Sequence, residues 1–556
     1  MKIIEGFPAT SQMNYQLNVI NFLKHGTRNY GRQEIVSRKH DGKLFRYTYK
    51  DAYERVKRLA NSLNDIGIQI GDKVGVLAWN THEHYEIFFG LPGSGAVMLL
   101  LNLRLAPQEL SYVVNHAEAK FILVDETLLS VAEAIATQCK TVKGYVLITN
   151  KKLNSIETEL DPIYSYEEIL AKAKPQFNWP NINENSAYSS CYTSGTTGRP
   201  KGVFYSHRDV YLQAMIYALK ALISTKDCLL QIVPMFHVLG WGTPQAATLA
   251  GAKLVFPGRY SLKNLEELIN LMVQEHITIS NGAPSILMPI LERIRKMDQK
   301  PDFSGTRIIS GASEPPISLM KGFWELTGAE IIHSYGSTEA NAIVTLNVPT
   351  PWLDKELSQE EIWDLKRKQG QIVTGLDVKI VTETGKKLPH DGKSTGEILF
   401  KGPWISSKYY NAPGTEYQFT KDGYYKSGDI GSIDSEGFLK ITDRIKDLIK
   451  SGGEWISSVD MENALVSHPA VLEAAVIGCP HPKWEERPLA LVVLRADMKN
   501  KVNKTEIFTH LAENFVKWQL PDEILFVNKI LKTSVGKIDK KNIRNEYRGF
   551  YLSRKS

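Results

Sequence analysis

The segment from Tyr192 to Gly202, YTSGTTGRPKG, has the residue types of a loop that wraps a polyphosphate. Glycines let the backbone come close to a ligand and turn its N–H groups inward, and Ser and Thr hydroxyls supply further donors. Lys201 adds a compact positive charge for phosphate oxygens. A glycine-rich surface turn without a ligand is the alternative. Eleven residues that end in Arg-Pro-Lys-Gly favour phosphate binding.

The spacing within this segment is not that of a Walker P-loop. Counted from Gly195, that motif requires glycine at position 200 and Ser or Thr at position 202, where the chain has Pro200 and Gly202. Strand-like runs lie on both sides, at 187–192 and 203–206, and the helical period starts only after them. The pattern therefore predicts a clamp between two strands rather than a phosphate seat at a helix N-terminus.

Composition and length bound the kind of protein that carries this loop. A chain of 556 residues exceeds what one hydrophobic core usually organises, so at least two domains are expected. Hydrophobic content of 43% and charged content of 23% are ordinary for a globular protein. The net charge of +6 is small for this length and gives no case for a nucleic-acid partner.

The cysteines and the most apolar stretch bear on where the protein works. Cys139, Cys191, Cys228 and Cys479 are scattered without CxxC spacing, which argues against a disulfide framework and a cysteine-ligated metal. The N-terminus lacks the apolar core of a signal peptide, and the apolar run at 87–103 is interrupted by glycines and a proline. We read that run as a buried helix–turn–strand and expect a cytoplasmic protein without a transmembrane segment.

Helical and strand patterns alternate over the first four hundred or so residues. This alternation predicts largely parallel sheets covered by helices, whose ligands lie at the carboxyl ends of the strands. The phosphate loop and the later segments SGASEPP (310–316) and YGSTE (335–339) all follow strand-like runs, so they can converge there. After Tyr425 the chain becomes rich in Gly, Asp and Lys, and a compact segment with a βαββα-like pattern follows. The composition change predicts a domain boundary at 443–446.

With its TSGTTGRPKG loop, the chain closely resembles the AMP-forming adenylating enzymes, the superfamily of acyl-CoA ligases, nonribosomal-peptide adenylation domains and beetle luciferases. Six further segments match motifs of that family in the expected order, so the resemblance covers nearly the whole chain. They are FHVLGW (236–241), SGAS (310–313), HSYGSTE (333–339), YKSGD (425–429), DRIKDLIKSGGE (443–454) and LKTSVGK (531–537).

The resemblance implies a two-domain α/β architecture. A large N-terminal domain of helix-covered, largely parallel sheets would span 1–443, and a small mobile α+β domain would span 444–556. The hinge would lie at 443–446, with Lys446 as the pivot.

The resemblance also implies a set of nucleotide contacts. They comprise the phosphate loop, the segments beside adenine, an aspartate on the ribose hydroxyls and an arginine that reaches ribose and phosphate. These residues are Thr193, Ser194, Gly195, Thr196, Thr197, Gly198, Lys201, Gly311, Ala312, Ser313, Ser334, Tyr335, Gly336, Ser337, Asp429 and Arg444.

Five residues are assigned catalytic roles by the resemblance. Lys537 would bind the carboxylate and the α-phosphate, where charge accumulates in the transition state. Glu339 offers hard oxygen ligands for Mg²⁺ shared with the phosphates. Thr338 lies beside it, His237 would guide the carboxylate, and Lys450 opens the segment that a domain rotation would bring to the site. A satisfied core histidine is the alternative for His237.

Three positions concern the acyl group and CoA. Gly453 would let the pantetheine arm pass close to the backbone. Trp241 would wall the acyl pocket, with a core anchor as its alternative. Gly336 stands where acetate and propionate enzymes of the family carry a tryptophan that closes the pocket, so it would leave room. The sequence departs from the family's usual pattern at Leu531, where proline is usual, and at Glu485, where glycine is usual.

The expected reaction is attack of a carboxylate on the α-phosphorus of ATP, followed by transfer of the acyl group to CoA. ATP, Mg²⁺ and CoA are the implied cofactor and co-substrates. Medium- or long-chain fatty acids are the preferred acids, and a short hydroxylated or branched acid is the alternative. There are three other hypotheses: a carrier protein as the acyl acceptor, oxidation of the adenylate as in luciferases, and a nucleotide-binding protein without enzymatic activity. Peripheral membrane contact and a dimer stay open.

Overall fold

The computed structural model describes residues 4–11, 14–193, 199–499, 501–533 and 537–552. Its strands, numbered in chain order, are β1 (Glu34–Arg38), β2 (Leu44–Thr48), β3 (Lys73–Leu77), β4 (Val97–Leu100), β5 (Phe121–Asp125), β6 (Gly144–Ile148), β7 (Ile163–Ser165), β8 (Ala187–Thr193), β9 (Lys201–Ser206), β10 (Cys228–Leu230), β11 (Lys253–Phe256), β12 (Ile279–Gly282), β13 (Arg307–Ser310), β14 (Glu330–Tyr335), β15 (Thr345–Leu346), β16 (Gly370–Ile372), β17 (Asp377–Val381), β18 (Gly396–Lys401), β19 (Tyr425–Ile433), β20 (Phe438–Arg444), β21 (Ile449–Ser451), β22 (Glu454–Ile456), β23 (Val471–His481), β24 (Glu485–Leu494) and β25 (Glu523–Phe526).

Helices connect and cover these strands. They are α1 (Ile20–Tyr30), α2 (Tyr49–Asp65), α3 (His82–Gly93), α4 (Pro107–His116), α5 (Leu129–Ala136), α6 (Tyr166–Lys172), α7 (His207–Lys220), α8 (Thr243–Ala250), α9 (Glu266–Gln274), α10 (Pro284–Lys296), α11 (Ile317–Thr327), α12 (Leu353–Glu356), α13 (Gln359–Arg367), α14 (Ser458–Ser467), α15 (Lys504–Ala512) and α16 (Lys540–Tyr547). Within the described ranges, none of them combines the length and the apolar character needed to cross a membrane.

A seven-stranded sheet has the order β7-β6-β5-β3-β4-β8-β9, and all its neighbouring strands are parallel except β8 and β9. Every residue of β5, FILVD, is buried, as expected for a parallel strand covered on both faces. The prediction of a buried helix–turn–strand at 87–103 is confirmed, because α3 leads into β4 there.

A thirteen-stranded sheet consists of a largely parallel half and an antiparallel half. In the first half β1, β10, β11, β12, β13 and β14 run parallel, as the alternation of helices and strands predicts. From β14 to β20 the pairs are antiparallel, and the sequence analysis did not anticipate this. Helices α12 and α13 join β15 to β16 without making that pair parallel, and a short turn at 434–437 joins β19 to β20, which is a connection that only antiparallel strands accept.

Local sequence sets where the helix next to the phosphate hairpin begins. Ser206 and Asp209 form a capping box, in which Ser206 Oγ accepts from the Asp209 N–H at 3.0 Å and Asp209 Oδ2 accepts from the Ser206 N–H at 2.8 Å. This pair satisfies two donors that a helix start leaves open. Helix α7 therefore starts immediately after β9 and fixes where that strand ends.

The chain after β20 forms a separate five-stranded sheet. Its order is β22-β21-β24-β23, with β25 parallel to β24. Helices α14 and α15 cover a core in which Ile449, Val476 and Ile507 are fully buried. Arg495 Nη1 lies 2.5 Å from Glu292 Oε1 on α10, so this small unit contacts the large one. The domain limits 1–443 and 444–556 stay a prediction.

Candidate active site

Strands β8 and β9 carry the predicted phosphate loop. They pair antiparallel, Thr193 lies opposite Lys201, and the Lys201 N–H donates to Thr193 Oγ1 at 3.4 Å. The prediction that strands flank this loop on both sides is confirmed. The predicted phosphate contacts at the tip of the loop lie outside the described residues; they are Ser194, Gly195, Thr196, Thr197 and Gly198.

Glu339 lies in a 3₁₀ turn after β14 and is 7% exposed. Its Oε1 accepts a hydrogen bond of 2.6 Å from the Tyr409 hydroxyl, and Lys201 Nζ lies 5.0 Å from the centre of the Tyr409 ring. The carbonyl oxygen of Thr338 accepts from the Tyr205 hydroxyl of β9 at 2.6 Å. These two tyrosines place the predicted metal ligand beside the phosphate hairpin.

Asp429 joins two other predicted residues. Its Oδ2 accepts from the Tyr335 hydroxyl at 2.5 Å, and its Oδ1 lies 3.2 Å from Arg444 Nε. Asp429 and Arg444 are direct partners in the β19–β20 pairing. Burial and the carboxylate of Asp429 raise the pKa of Tyr335, so the phenol stays protonated and serves as a donor. A charged acceptor is thus held at the end of β14, where a ribose could meet it.

Lys537 belongs to the small unit, yet its charge interacts with the site on the large one. The pKa of its ammonium group is lowered to about 8, chiefly by burial and to a smaller extent by the neighbouring charge of Arg444. The carboxylates of Asp429 and Glu339 act in the opposite direction. The small domain is therefore docked so that the charge of Lys537 is felt by Arg444, Asp429 and Glu339 on the predicted nucleotide site.

The adenine segment follows β13. A side chain at Gly311 would place Cβ 2.9 Å from the Ser334 carbonyl oxygen and 3.3 Å from Trp241 Cη2, so a glycine is needed there. Ala312 has φ +71°, a left-handed conformation that is rare for alanine. Ser313 is exposed at the surface of the loop.

In the segment after β14, the backbone of Gly336 lies against the backbone of Ala342 and Ile343. A Cβ at Gly336 would lie 1.8 Å from the Ala342 carbonyl oxygen, so this position requires glycine for the backbone itself. Ser334 Oγ donates to the Thr345 carbonyl oxygen at 3.1 Å. Ser337 Oγ is buried and has no hydrogen-bond partner in the described chain. An orphaned donor two residues before Glu339 fits a site that is completed by a bound phosphate or metal.

A cavity of about 40 Å³ lies beside the adenine segment. The pKa of His237 is lowered to about 4, chiefly by burial and to a smaller extent by the charges of Lys537 and Arg104. The imidazole is therefore neutral at physiological pH. The lining residues are Arg104, Ile232, Val233, Pro234, Phe236, His237, Trp241, Tyr260, Gly282, Ala283, Ser285, Ile286 and Ala312. Gly336 is not among them, and its part in the acyl pocket stays a prediction.

The predicted hinge, residues 443–446, is hydrogen-bonded to the small domain through its first residue, Asp443. The carboxylate of Asp443 accepts from the Ser458 N–H at 2.7 Å and from the Ser458 hydroxyl at 2.5 Å, at the beginning of α14. Lys540 Nζ donates to the same hydroxyl at 2.6 Å. Desolvation of the Lys446 ammonium group, followed by the charge of Arg444, lowers the pKa of this lysine.

The predicted CoA segment forms the turn between β21 and β22. Gly452 and Gly453 have φ +62° and +88°, which suits a two-residue hairpin turn with both central residues left-handed. Nothing lies within 4 Å of a Cβ built at Gly453. Lys450 Nζ lies 3.3 Å from Glu485 Oε2, and Glu485 itself has φ +66°. That conformation gives a reason why glycine is usual at position 485. The roles of Lys450 and Gly453 stay predictions.

Sequence reasoning missed three site residues. Tyr409 holds Glu339, Arg104 lines the cavity, and Tyr260 lines it too while its hydroxyl donates to the Ile232 carbonyl oxygen at 2.9 Å. None of the three stands inside a motif segment, so spacing offered no signal. In the fold, Tyr410 forms an antiparallel β-bridge with Gly202, which brings its neighbour Tyr409 close to the phosphate hairpin. No sequence pattern predicts this bridge.

Comparison with known proteins agrees with this geometry. The profile of the AMP-binding enzyme family matches residues 23–410, and that of the AMP-binding enzyme C-terminal domain matches residues 460–537. A long-chain-fatty-acid–CoA ligase of Thermus thermophilus is 41% identical over 553 residues, covering 99% of this chain and 98% of that protein. A medium-chain-fatty-acid–CoA ligase of Ectopseudomonas oleovorans is 36% identical, covering 96% and 97%. A 3-methylmercaptopropionyl-CoA ligase of Ruegeria lacuscaerulensis is also 36% identical, covering 96% and 98%.

Solved structures share the fold. An anthranilate CoA ligase in complex with anthranoyl-AMP superposes with a TM-score of 0.85 at 24% identity, covering 96% of this chain and 97% of that one. A Mycobacterium tuberculosis fatty acyl CoA synthetase gives 0.70 at 27% identity, covering 96% and 99%. The chain belongs to the AMP-binding enzyme family, the superfamily of adenylate-forming enzymes. Within it the chain is an AMP-forming acid–thiol ligase, an acyl-CoA synthetase that uses ATP and CoA.

Proposed function

We propose that this acyl-CoA synthetase activates medium- or long-chain fatty acids. The observation that carries the proposal is the mostly apolar lining of the pocket beside the adenine segment. Ile232, Val233, Phe236 and Ile286 would bury an alkyl chain, and each buried methylene contributes about 0.8 kcal/mol. His237 lies at the same cavity and is neutral, so it does not repel or trap a carboxylate by charge.

The relatives support the same class of acid. The Thermus and Ectopseudomonas proteins are named for long- and medium-chain fatty acids and match nearly the whole of this chain. Their names also specify CoA as the acceptor, which favours free CoA over a carrier protein here.

A short functionalised acid is the second candidate. The cavity lining includes Arg104, Tyr260 and Ser285, which are polar groups that a plain alkyl chain does not use. The Ruegeria relative is named for 3-methylmercaptopropionate, a short acid, and is as similar in sequence as the medium-chain enzyme. This candidate requires that short polar acids be better substrates than fatty acids.

For the adenylation step, we propose that the chain acts through positioning and charge. Lys201 would neutralise charge on the phosphates, Asp429 would accept from the ribose hydroxyls, and Lys537 would bridge the reacting oxygens. Glu339 would hold Mg²⁺, which when bound adds positive charge at the phosphate oxygens. The orphaned hydroxyl of Ser337 gains a partner when the phosphates bind.

For the thioester step, we propose rotation of the small domain about Lys446. The rotation would remove Lys537 from the site and bring the hairpin that contains Gly453 to it, so that the CoA thiolate reaches the acyl carbon. The electrostatic interaction of Lys537 with Asp429 and Glu339 supports assigning the present pose to the first step. Cytoplasmic location, peripheral membrane contact and a dimer stay predictions.

Pyrophosphate exchange with a series of acids tests the proposed substrate. The series runs from butyrate to stearate and includes 3-hydroxybutyrate, isobutyrate and 3-methylmercaptopropionate, each with and without CoA. We expect kcat/KM to rise along the unbranched series and to peak at a medium or long chain. A peak at one of the short functionalised acids would overturn the proposal and support the second candidate.

A further inference from the structure

Glu314 lies where the adenine segment meets the small domain. It stands two residues after Ala312, in the loop between β13 and α11, and its side chain is only 10% exposed. A carboxylate that is almost buried needs partners, because removal from water disfavours its charge. Its partners come from both domains.

The small domain supplies a hydrogen-bond donor to Glu314. Asn463 Nδ2, on α14, donates to Glu314 Oε1 at 2.8 Å. The large domain supplies Arg367, whose Nε and Nη2 each lie 3.4 Å from the same oxygen. Arg367 Nη2 also lies 3.9 Å from Asp460 Oδ1 on α14. Glu314 is thus the meeting point of the adenine loop, α13 and the mobile domain.

The charge of Glu314 is sensitive to this interface. The pKa of its carboxyl is raised to about 7, chiefly by burial and to a smaller extent by the carboxylate of Asp460. Arg367 and Lys440, which face it from α13 and β20, oppose this rise. Glu314 therefore changes its charge near neutral pH in the pose that brings Lys537 to the site.

We propose that Glu314 is a positioning residue whose hydrogen bond with Asn463 holds the small domain in the adenylating pose and must break before acyl transfer. This inference rests on the two-step function proposed above. Because Glu314 is continuous with the adenine segment, the latch links nucleotide binding to the pose of the domain. Glu314 touches no reacting atom in this scheme.

The direction of the pH effect follows from linkage. Rotation carries α14 away, so Glu314 loses both the burial and the repulsion from Asp460, and its pKa falls toward that of an ordinary carboxyl. The pose in which a group has the higher pKa binds the proton more tightly and gains as the pH falls. Falling pH through about 7 therefore stabilises the adenylating pose, and rising pH favours the release of the latch.

The two half-reactions, measured separately in full-length Asn463→Ala and Glu314→Gln variants, test the latch. Asn463→Ala should slow pyrophosphate exchange by about tenfold and leave thioester formation from preformed acyl-adenylate unchanged or faster. Glu314→Gln keeps the acceptor oxygen and removes the charge. It should leave exchange near the wild-type rate and slow acyl transfer by about tenfold at about pH 8. The ratio of wild-type to variant transfer rates should rise with pH, because ionisation of the CoA thiol contributes equally to both proteins.

Arg495→Ala provides the matched control. The ion pair of Arg495 with Glu292 also joins the two domains, but Glu292 lies on α10, outside the adenine loop. Equal losses in both half-reactions of the Asn463 and Glu314 variants would overturn the latch, as would a flat ratio across pH. Hydrogen exchange of the backbone amides of α14 and of residues 310–314, measured without substrate, separates this outcome from failure of the proposed function. We expect faster exchange of both segments in Asn463→Ala, and unchanged exchange would also overturn the inference.

Discussion

Removal of the charge at Lys537 should separate the two half-reactions. The ammonium group is placed to bridge the oxygens on which charge develops during adenylation, and its charge interacts with those of Asp429 and Glu339. Loss of one preorganised electrostatic contact of this kind costs about 100- to 1000-fold in rate. We therefore expect Lys537→Ala to slow pyrophosphate exchange by about that factor. Thioester formation from preformed acyl-adenylate should change by only a few-fold.

The pH dependence sharpens this prediction. The pKa of Lys537 is lowered to about 8, chiefly by burial, so roughly nine-tenths of the groups are protonated at about pH 7 and roughly one-tenth at about pH 9. If the protonated amine is the active form, kcat/KM for ATP in the exchange reaction falls as the pH rises through about 8, since this parameter reports the free enzyme. Lys537→Arg keeps its charge at every accessible pH and should lose this basic limb, although its absolute rate will be lower.

Pyrophosphate exchange between about pH 6 and about pH 10 measures these effects, with Lys532→Ala as the control. Lys532 lies on the same loop but pairs with Glu473 at 2.6 Å on the exposed side of the domain. Exchange that persists in Lys537→Ala, or a basic limb that is identical in Lys537→Arg and wild type, would refute the assigned role.

Three further substitutions test other parts of the structure. Gly336→Ala should abolish stable folding or cost at least several kcal/mol in denaturant unfolding, because its Cβ would lie 1.8 Å from the Ala342 carbonyl oxygen; a fold as stable as wild type would show that the contact can relax. Gly453→Phe should slow acyl transfer to CoA at least about tenfold without affecting pyrophosphate exchange. Gly453→Asn, whose asparagine tolerates the left-handed turn, should transfer the acyl group at the normal rate. Equal loss of transfer in both variants would indicate a disturbed turn instead of blocked CoA passage. Ile286→Trp should shift the preferred acid to a shorter chain, whereas the volume-conserving Ile286→Leu should not; unchanged chain-length profiles in both would place the alkyl chain elsewhere.

The sequence predicted those features that depend on local pattern and on ordered motifs. The strand flanks of the phosphate loop predicted the β8–β9 hairpin, and the parallel half of the large sheet followed from the alternation of helices and strands. The antiparallel half did not follow, because short strands joined by varied loops carry no periodic signal. The contact of Tyr335 with Asp429 agrees with the resemblance that placed both residues at the nucleotide.

Contacts between residues far apart in sequence could not be predicted. Tyr409 lies 70 residues from Glu339 and outside every motif, yet it holds that carboxylate. The hydrogen bond of Asn463 to Glu314 spans 149 residues and depends on how the small domain is docked. The glycine requirement at Gly336 comes from a neighbouring carbonyl oxygen, which only the backbone path reveals.

The central claim, that the carboxylate attacks the α-phosphorus of ATP, is tested most directly with an isotope. A fatty acid labelled with ¹⁸O in its carboxylate is incubated with the enzyme, ATP, Mg²⁺ and CoA, and the nucleotide product is analysed by mass spectrometry. The structure predicts AMP that carries one ¹⁸O atom from the acid, with unlabelled pyrophosphate. Formation of ADP with the label in inorganic phosphate would contradict the account, because it would place the attack at the γ-phosphorus.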